Sequence, residues 1–417
     1  MQGELNFLFT VEAVGFCNLE CPSCPNGNWI GERNPRGFLQ PSLLAKIMEK
    51  ARSECNVTGV CLFNWGEPLL HPKLPELVAI VQNYDVPCFL SSNLNLLGNI
   101  NALMEANPHA FIISVSGFKQ ATYNNTHKGG NVERLKKNMV ALAEARLRAG
   151  STTRIQVRYL LYLTNLQDVV EMKRFATDLG FEFQAIWAWM MPLEKVIAYL
   201  NDDPNEAKLS YEDLLTIKNL ALPVKETVRI FQQYRIRSCI MRDEHVTLDY
   251  MGNVQLCCMI YDAKRFTIGP YLSIPLTDIQ ERKQTNYMCE RCMDKGLNVY
   301  CVYQGPELNR LAIENILRHD AKAPGEVLNQ EILKPTIVGM DWLSKDDALK
   351  VLLDVYKYRK DLKSAFPEVA DGEYRRLMKW AYTSGTTIDT AKPYLRKFRN
   401  WYRKAWIKDI LTRPSAR

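Results

Sequence analysis

The chain of 417 residues is 47% hydrophobic and 24% charged, a composition that excludes a disordered or fibrous protein. Its net charge is +7, and residues 393–417 hold eight Lys or Arg against one acidic residue, so the rest of the chain is balanced. A nucleic-acid-binding core with a basic face is therefore not expected. The first 16 residues contain no basic n-region and no apolar run is long enough to cross a bilayer, so we expect a cytoplasmic protein.

Short β-type runs alternate with amphipathic helical stretches through the first half of the chain. Enrichment in β-branched and aromatic residues predicts six strands, at Asn6–Val14, Thr58–Asn64, Val86–Ser92, Ala110–Ser116, Arg154–Leu163 and Phe181–Ala188. Apolar residues at three- and four-residue spacing predict helices between them, at Pro41–Glu54, Lys73–Tyr84, Leu96–Ala106, Asn131–Ala149 and Leu166–Leu179. The β–α order predicts a parallel sheet, open or barrel-like, with active residues at the carboxyl ends of its strands.

The rest of the chain divides into a cysteine-rich region and a helical region. Residues 202–232 have the pattern of a helical bridge, and the region that follows holds six of the twelve cysteines. A hairpin is predicted there, with strands at His245–Tyr250 and Val254–Cys258. From residue 306 onward the pattern is helical and interrupted by prolines. We therefore predict domains at residues 1–232, 233–305 and 306–417.

The first cysteine cluster, Cys17-Asn-Leu-Glu-Cys21-Pro-Ser-Cys24, follows the first predicted strand. Cytosolic thiols are kept reduced, so metal binding is a better explanation than a disulfide framework. A structural zinc site requires four ligands, and no fourth Cys or His lies nearby. Three thiolates can instead hold three irons of a [4Fe–4S] cluster and leave the fourth iron open for a ligand.

This spacing after the first strand resembles the signature of the radical S-adenosylmethionine (radical SAM) superfamily, whose members have a partial (β/α)6 TIM-type barrel. The resemblance implies that Cys17, Cys21 and Cys24 bind the cluster and that S-adenosylmethionine chelates the fourth iron. It also implies a reductant protein such as flavodoxin or ferredoxin. Cleavage of the cofactor would yield a 5′-deoxyadenosyl radical that abstracts a substrate hydrogen.

Further motifs at predicted strand ends are similar to those of the same superfamily. The segment containing Gly66 and Glu67 resembles Gly-Gly-Glu-Pro, which implies that both residues hold the methionyl ammonium, although Trp65 replaces the first glycine. Asn93 lies in a stretch like Thr-Asn-Gly, which implies contact with the ribose or adenosine. Ser114 would contact the cofactor carboxylate.

Three positions depart from the family pattern or have a second explanation. Ser116 stands where relatives often have an acid, and Ser23 stands where an aromatic or bulky residue commonly precedes the third cysteine. The turn with His127 and Lys128 resembles the family's His/Arg-x-Gly-Gly turn, but a polar turn that caps the next helix explains it equally well.

The second region resembles the SPASM and twitch domains that follow radical SAM barrels. Its shorter, twitch-like pattern implies one auxiliary [4Fe–4S] cluster, two clusters in all, held by Cys239, Cys257, Cys289 and Cys292. A zinc ribbon with the same four thiolates is the alternative.

Two cysteines of this region are left over, Cys258 and Cys301, which are candidates for catalytic hydrogen donors, for simple packing residues or for alternative metal ligands. Strand alternation predicts that Cys258 faces away from Cys257.

Taken together, these features favour an oxidoreductase (dehydrogenase) or epimerase that acts on a carbohydrate or cyclitol C–H bond. The short form of the second region is similar to that of a twitch dehydrogenase of aminoglycoside biosynthesis, and the cluster motif begins too early for an N-terminal peptide-recognition domain. The alternatives are a maturase of a ribosomal peptide and a non-catalytic metal-cluster scaffold. The basic tail forms either a docked last helix or a peripheral contact with an anionic membrane.

Overall fold

The computed structural model describes residues 5–201, 208–234, 239–300, 303–304, 306–329 and 336–337, and all of these belong to the unit Met1–Trp342. The predicted basic tail and Cys301 lie outside the described residues. None of the described helices combines the length and the apolar character that a membrane span requires.

The secondary structure follows the β–α order that the sequence predicts. The strands are β1 Asn6–Val11, β2 Asn56–Cys61, β3 Cys88–Ser92, β4 Ala110–Val115, β5 Arg154–Leu161, β6 Glu182–Trp187, β7 His245–Leu248, β8 Asn253–Gln255, β9 Thr267–Pro270, β10 Tyr303–Gln304 and β11 Thr336–Ile337. The helices are α1 Pro25–Asn28, α2 Pro41–Glu54, α3 Leu74–Gln82, α4 Ile100–Glu105, α5 Gln120–Asn124, α6 Val132–Arg148, α7 Val169–Asp178, α8 Leu193–Asn201, α9 Tyr211–Lys218, α10 Val224–Tyr234, α11 Ile240–Asp243, α12 Ala263–Phe266, α13 Leu276–Gln284, α14 Tyr287–Asp294, α15 Leu297–Tyr300, α16 Pro306–Arg318 and α17 Gly325–Leu328. Short 3-10 helices occur at Pro68–Leu70, Leu166–Asp168 and Tyr271–Ser273.

The main sheet has nine strands in the order β6-β5-β4-β3-β2-β1-β7-β8-β9. The six predicted strands and β7 pair in parallel, whereas β8 and β9 continue the sheet as antiparallel strands. The predicted α/β fold with a parallel-dominated sheet is therefore confirmed, and it is consistent with a partial TIM-type barrel. The hairpin predicted in the cysteine-rich region is the β7–β8 pair.

The two faces of the sheet carry different side chains because residues alternate along each strand. On β1, Phe7, Phe9 and Val11 belong to the large core that also takes in the buried side of α2. Leu8 belongs to a small cluster on the opposite face, together with Cys61, Phe89, Ala110 and Ile112. Apolar side chains therefore pack on both faces of the sheet near its centre.

Several elements end earlier than their sequence patterns predict. β1 ends at Val11 and β2 at Cys61, although apolar residues continue beyond both. Val14 makes only an isolated bridge to Phe38, so this part of the chain has left the parallel ladder. The predicted helix Leu96–Ala106 is shortened to α4, whose first turn is capped by the Asn99 side chain.

The region after β6 also differs from the prediction of a single helical bridge at residues 202–232. A helix, α8, precedes the bridge, and α9 and α10 occupy the described part of it. A buried ion pair joins α8 to α9, because Lys195 Nζ lies 2.5 Å from Asp213 Oδ2 and both side chains are fully buried. Lys195 also donates to the carbonyl of Asn28, just after the first cysteine cluster. This charge pair therefore ties two helices to that loop.

We expect Asp213→Asn to lower the free energy of unfolding by about 3–5 kcal/mol, since it leaves the Lys195 ammonium buried without its counter-charge. Glu182→Gln is the control, because it breaks the half-exposed pair with Arg154, whose loss costs about 0–1 kcal/mol. Urea denaturation of the two variants beside wild type is the measurement. If the free energy of unfolding falls equally in the two variants, the buried Lys195–Asp213 pair has no special structural role.

Candidate functional site

The candidate site lies at the carboxyl edge of the parallel sheet. The loop after β1 contains the first cysteine cluster, the loop after β2 contains Gly66 and Glu67, and Asn93 follows β3 directly. Because parallel strands end at the same edge, these loops meet there.

The three thiols of the first cluster lie close together on one loop. Burial and the negative charges of its neighbours Glu67 and Cys24 raise the pKa of Cys17 to about 12. Burial raises the pKa of Cys24 to about 11 and that of Cys21 well above its ordinary value. Within the described part of the chain, no three His, Cys, Asp or Glu side chains are grouped so as to hold a single metal ion.

This donor set fits an iron–sulfur cluster. Buried thiols that raise one another's pKa values become thiolates only when positive charge is brought to them, and the irons of a cluster supply it. Ser23, between two of the cysteines, forms a hydrogen bond of 2.8 Å with the hydroxyl of buried Tyr162. The aromatic ring beside the third cysteine therefore comes from the end of β5.

Glu67 is a buried carboxylate at the centre of this edge, with 3% of its surface exposed. It accepts hydrogen bonds from the backbone N–H of Leu69 (3.0 Å), the hydroxyl of Ser92 (2.8 Å) and the backbone N–H of Asn93 (2.9 Å). Burial raises the pKa of Glu67 to about 7. An ionised carboxylate has about four lone-pair sites, so one remains available to a ligand cation.

A second buried carboxylate, Glu12, was not singled out by the sequence because it lies inside a predicted strand. Its Oε1 accepts from the backbone N–H groups of Trp65 and Gly66, both at 2.9 Å. An acid inside an otherwise apolar β run was the available signal. Burial raises the pKa of Glu12 to about 7.

The close approach of the two loops explains the glycine at position 66. A Cβ atom on Gly66 would lie 1.6 Å from the carbonyl oxygen of Val14, so no other residue fits without moving the backbone. The next residue, Glu67, donates its backbone N–H to the carbonyl of Phe16 (2.9 Å). The turn after β2 is thus attached directly to the start of the cysteine loop.

Trp65, where the family motif has glycine, reaches toward the second cysteine region. Its carbonyl accepts a hydrogen bond from the side chain of Asn26 (2.5 Å), two residues after Cys24. Its indole N–H donates to the carbonyl of Ile260 (3.3 Å), and its ring meets Tyr261 edge to face. The replacement therefore adds a contact between the two regions.

Asn93 is held directly beneath the cysteine loop. Its side-chain amide donates to Asn18 Oδ1 (3.0 Å) and lies 3.6 Å from the sulfur of Cys17. Its own oxygen accepts from the backbone N–H of Asn95 (2.9 Å), whose amide donates to the hydroxyl of Tyr123 (2.7 Å). This chain of hydrogen bonds fixes the orientation of Asn93.

Ser114 on β4 and Ser116 directly after it lie near the buried, neutral His127. The hydroxyl of Ser114 lies 3.4 Å from that of Ser91. Ser116 is fully buried and pairs with Thr126 and with His127 Nδ1. Burial lowers the pKa of His127 to about 4, so its imidazole is uncharged at neutral pH. A neutral hydrogen-bonded pair therefore stands where relatives often have an acid.

The four predicted auxiliary ligands come together around one pocket. Cys289 and Cys292 lie three residues apart on α14, Cys239 precedes α11, and Cys257 follows β8. Methionine and aliphatic side chains complete much of the lining, among them Leu193, Met241, Leu256, Ile260, Met288 and Met293. Burial raises the pKa of Cys239 to about 12 and that of Cys289 to about 11.

The prediction that Cys257 and Cys258 point to opposite faces of a strand is wrong. β8 ends at Gln255, so Cys257 and Cys258 lie in the following turn rather than on opposite faces of a strand. A hydrogen bond from the Cys258 thiol lowers the pKa of Cys257, and the Cys258 sulfur lies 3.6 Å from the sulfur of Met241. Cys258 is therefore a neighbour of the auxiliary ligands.

The N-terminus of α8 connects both cysteine regions. Glu194 Oε1 accepts from the backbone N–H groups of Tyr261 (2.8 Å) and Asp262 (2.9 Å), shortly after Cys257. The adjacent Lys195 binds the carbonyl of Asn28 near Cys24. Two neighbouring buried charges on one helix thus hold the two loops.

Similar proteins include two curated enzymes. The chain is 31% identical over 186 residues, 43% of its length, to the GTP 3′,8-cyclase of Mycobacterium marinum. It is 24% identical over 206 residues, 48% of its length, to the probable GTP 3′,8-cyclase of Methanocaldococcus jannaschii. These matches cover 48% and 65% of the relatives, so the chain spans about half the length of the first.

Solved structures with a similar fold have low sequence identity. SuiB of Streptococcus suis bound to the precursor peptide SuiA has a TM-score of 0.47 and 12% sequence identity to this chain. The match covers 70% of this chain and 71% of the SuiB chain. BtrN in complex with AdoMet and 2-DOIA has a TM-score of 0.40 and 17% sequence identity to this chain. The match covers 70% of this chain and 89% of the BtrN chain.

The buried Glu12 predicts a pH dependence of the metal-free protein. Its pKa is about 7 when folded against an ordinary 4.5, so between these values the folded state binds more protons and the free energy of unfolding falls as the pH rises. Glu12→Gln should reduce that fall by up to about 3 kcal/mol. Glu12→Leu separates the effect of charge from that of hydrogen bonding. It also removes the contribution of Glu12 to the fall in the free energy of unfolding with pH, but it leaves two backbone N–H groups without an acceptor. The free energy of unfolding is measured by urea titration from about pH 4.5 to 8. If it changes with pH equally in wild type and Glu12→Gln, the raised pKa of Glu12 is wrong.

The family comparison covers the whole first part of the site. Residues 11–176 match the radical SAM superfamily, and this range includes the first cysteine cluster, Gly66, Glu67, Asn93 and Ser114. Residues 11–176 therefore match a radical SAM domain, and members of that superfamily use a [4Fe–4S] cluster and S-adenosylmethionine.

Proposed function

We propose that this radical SAM enzyme oxidises a carbinol C–H bond of a carbohydrate or cyclitol, with a second iron–sulfur cluster as the electron acceptor. The observation that carries the proposal is the convergence of Cys239, Cys257, Cys289 and Cys292 on one pocket. Oxidation of an alcohol removes two electrons, and abstraction of a hydrogen atom accounts for only one of them. An acceptor beside the radical domain completes the reaction.

Cys17, Cys21 and Cys24 would hold the first cluster. When bound, this cluster and S-adenosylmethionine supply the 5′-deoxyadenosyl radical that abstracts the substrate hydrogen. The protein supports this chemistry by holding the three half-buried thiols on one loop and through Asn93, whose amide lies beside the sulfur of Cys17.

Glu67, Gly66, Asn93 and Ser114 would bind S-adenosylmethionine. The remaining lone-pair site of Glu67 suits the methionyl ammonium, and three hydrogen bonds hold its carboxylate in place. Gly66 allows the loop that bears Glu67 to pack directly on Val14, because a Cβ there would lie 1.6 Å from the Val14 carbonyl oxygen. Ser114 offers a hydroxyl on β4, one strand away from Asn93.

The contacts of Cys258 favour oxidation over epimerisation. An epimerase needs a thiol that returns hydrogen to the substrate. Of the two candidates, Cys301 lies outside the described residues, and the Cys258 thiol is engaged with Cys257 and Met241. In the proposed oxidation, one hydrogen atom would leave with 5′-deoxyadenosine and one proton would be released. The cluster that Cys239, Cys257, Cys289 and Cys292 would hold would accept the remaining electron, which balances formation of a ketone. A reductant protein such as flavodoxin or ferredoxin would supply electrons to the first cluster.

A second candidate function follows from the curated relatives, which are named GTP 3′,8-cyclases. Cyclisation of a purine nucleotide by the same radical is the activity that this similarity favours. A peptide maturase and a non-catalytic metal scaffold are the other outcomes that the experiments below separate.

The metal content of cysteine variants tests the two clusters. After anaerobic reconstitution we expect about eight irons in wild type and about four in Cys17/Cys21/Cys24→Ala, which should no longer form 5′-deoxyadenosine. The matched variant Cys239/Cys257/Cys289/Cys292→Ala should also keep about four irons but retain cleavage of S-adenosylmethionine. Zinc in the second site, or full loading of wild type without cleavage, would contradict the proposal.

The substrate class is tested with cyclitols and sugars that carry deuterium at their carbinol carbons, with GTP and a peptide mixture in parallel. We expect deuterium in 5′-deoxyadenosine and one ketone formed per 5′-deoxyadenosine. The quadruple cysteine variant should abstract deuterium but form little ketone. A product with inverted configuration that contains solvent hydrogen would indicate epimerisation, and turnover of GTP alone would favour the cyclase.

A further inference from the structure

A fully buried lysine lies beside the auxiliary cysteine pocket. Lys283, on α13, has no exposed surface. Its ammonium donates hydrogen bonds to the backbone carbonyls of Met241 (3.1 Å) and His245 (2.5 Å). Both acceptors are uncharged, and they account for two of its three N–H donors.

The groups whose negative charge acts on Lys283 are cysteines, which become thiolates when irons bind. Burial lowers the pKa of Lys283, and negative charge on Cys257, Cys289, Cys258 and Cys239 opposes this effect. Among the described residues, Lys283 forms no ion pair with a carboxylate, in contrast to the equally buried Lys195 with Asp213. A buried ammonium is costly without a counter-charge, and the cysteines of this pocket would provide that counter-charge as iron-bound thiolates.

The other cation at this pocket is differently placed. Arg242 lines the pocket, but its guanidinium forms an ion pair with Asp243 at 2.7 Å. The positive charge of Arg242 is therefore largely balanced by its neighbour. Lys283 is the buried cation at this site, within the described residues, whose charge is balanced only by the cysteines.

We propose that Lys283 is a positioning residue that raises the reduction potential of the auxiliary cluster through its buried positive charge. The inference rests on the proposed function, since it requires a cluster at Cys239, Cys257, Cys289 and Cys292. Reduction adds one negative charge to the site, and a nearby cation stabilises the more negative state. The effect is strong because the surroundings are buried and solvent screening is weak. The auxiliary site thereby becomes a better acceptor for the electron that leaves the substrate radical.

Potentiometric titration followed by electron paramagnetic resonance tests this inference. The full chain with Cys17/Cys21/Cys24→Ala serves as background, so that the auxiliary cluster is the one observed. Lys283→Met should lower the ratio of reduced to oxidised cluster about tenfold at the midpoint potential of the parent, a shift of about 59 mV for a one-electron couple. Lys283→Arg should keep the parent potential, because it retains the charge.

Two further variants keep the test decisive. Lys264→Met removes an exposed lysine of the same region and should leave the potential unchanged. Lys283→Gln retains an N–H donor for the carbonyl groups, so it reports on the charge if Lys283→Met fails to load iron. An unchanged potential in iron-loaded Lys283→Met or Lys283→Gln would overturn the role of Lys283 alone. Failure of the parent itself to bind about four irons would overturn the auxiliary cluster of the proposed function.

Discussion

The structure of the candidate site depends on the close approach of the loop after β2 to the loop after β1. Gly66 touches the carbonyl of Val14, and Glu67 donates its backbone N–H to Phe16, the residue before the first cluster cysteine. Beneath them, the carboxylate of Glu12 accepts the N–H groups of Trp65 and Gly66. A buried carboxylate needs such donors, and a backbone this close needs glycine. The donors that Glu12 needs and the glycine that the close approach needs lie in the same turn. The cysteine loop and the Glu67 loop are therefore positioned together.

Much of this architecture could be predicted from the chain itself. The six parallel strands and the three-cysteine loop follow from local patterns, β-type runs and cysteine spacing, which the sequence records directly. The predicted strands run past the ends of β1 and β2 because Ala13, Val14, Leu62 and Phe63 continue the apolar pattern after the ladder has ended. These loop residues are as apolar as the strand residues before them, and only the hydrogen bonds to a neighbouring strand distinguish the two.

The residues that the sequence did not predict act through partners distant in the chain. Glu12 serves a turn more than fifty residues away, and Glu194 holds Tyr261 and Asp262. No local pattern identifies the acceptor of a hydrogen bond at such a separation. Cys258 shows a related error, because strand alternation applies only while the strand lasts and β8 ends at Gln255. The four predicted auxiliary ligands, in contrast, could be grouped with the help of their spacing, and the fold brings these cysteines to one pocket.

The buried charges give the two cysteine regions opposite electrostatic surroundings. At the first region the carboxylate of Glu67 acts on Cys17, and its negative charge disfavours added electrons. At the second region the ammonium of Lys283 acts on the cysteines and favours added electrons. Trp65 and the Glu194–Lys195 pair join the two regions through backbone hydrogen bonds, so this difference is maintained across a connected part of the fold. The proposed oxidation requires a strongly reducing first site and a more readily reduced second site, and the buried side chain that accompanies each set of thiols favours that order.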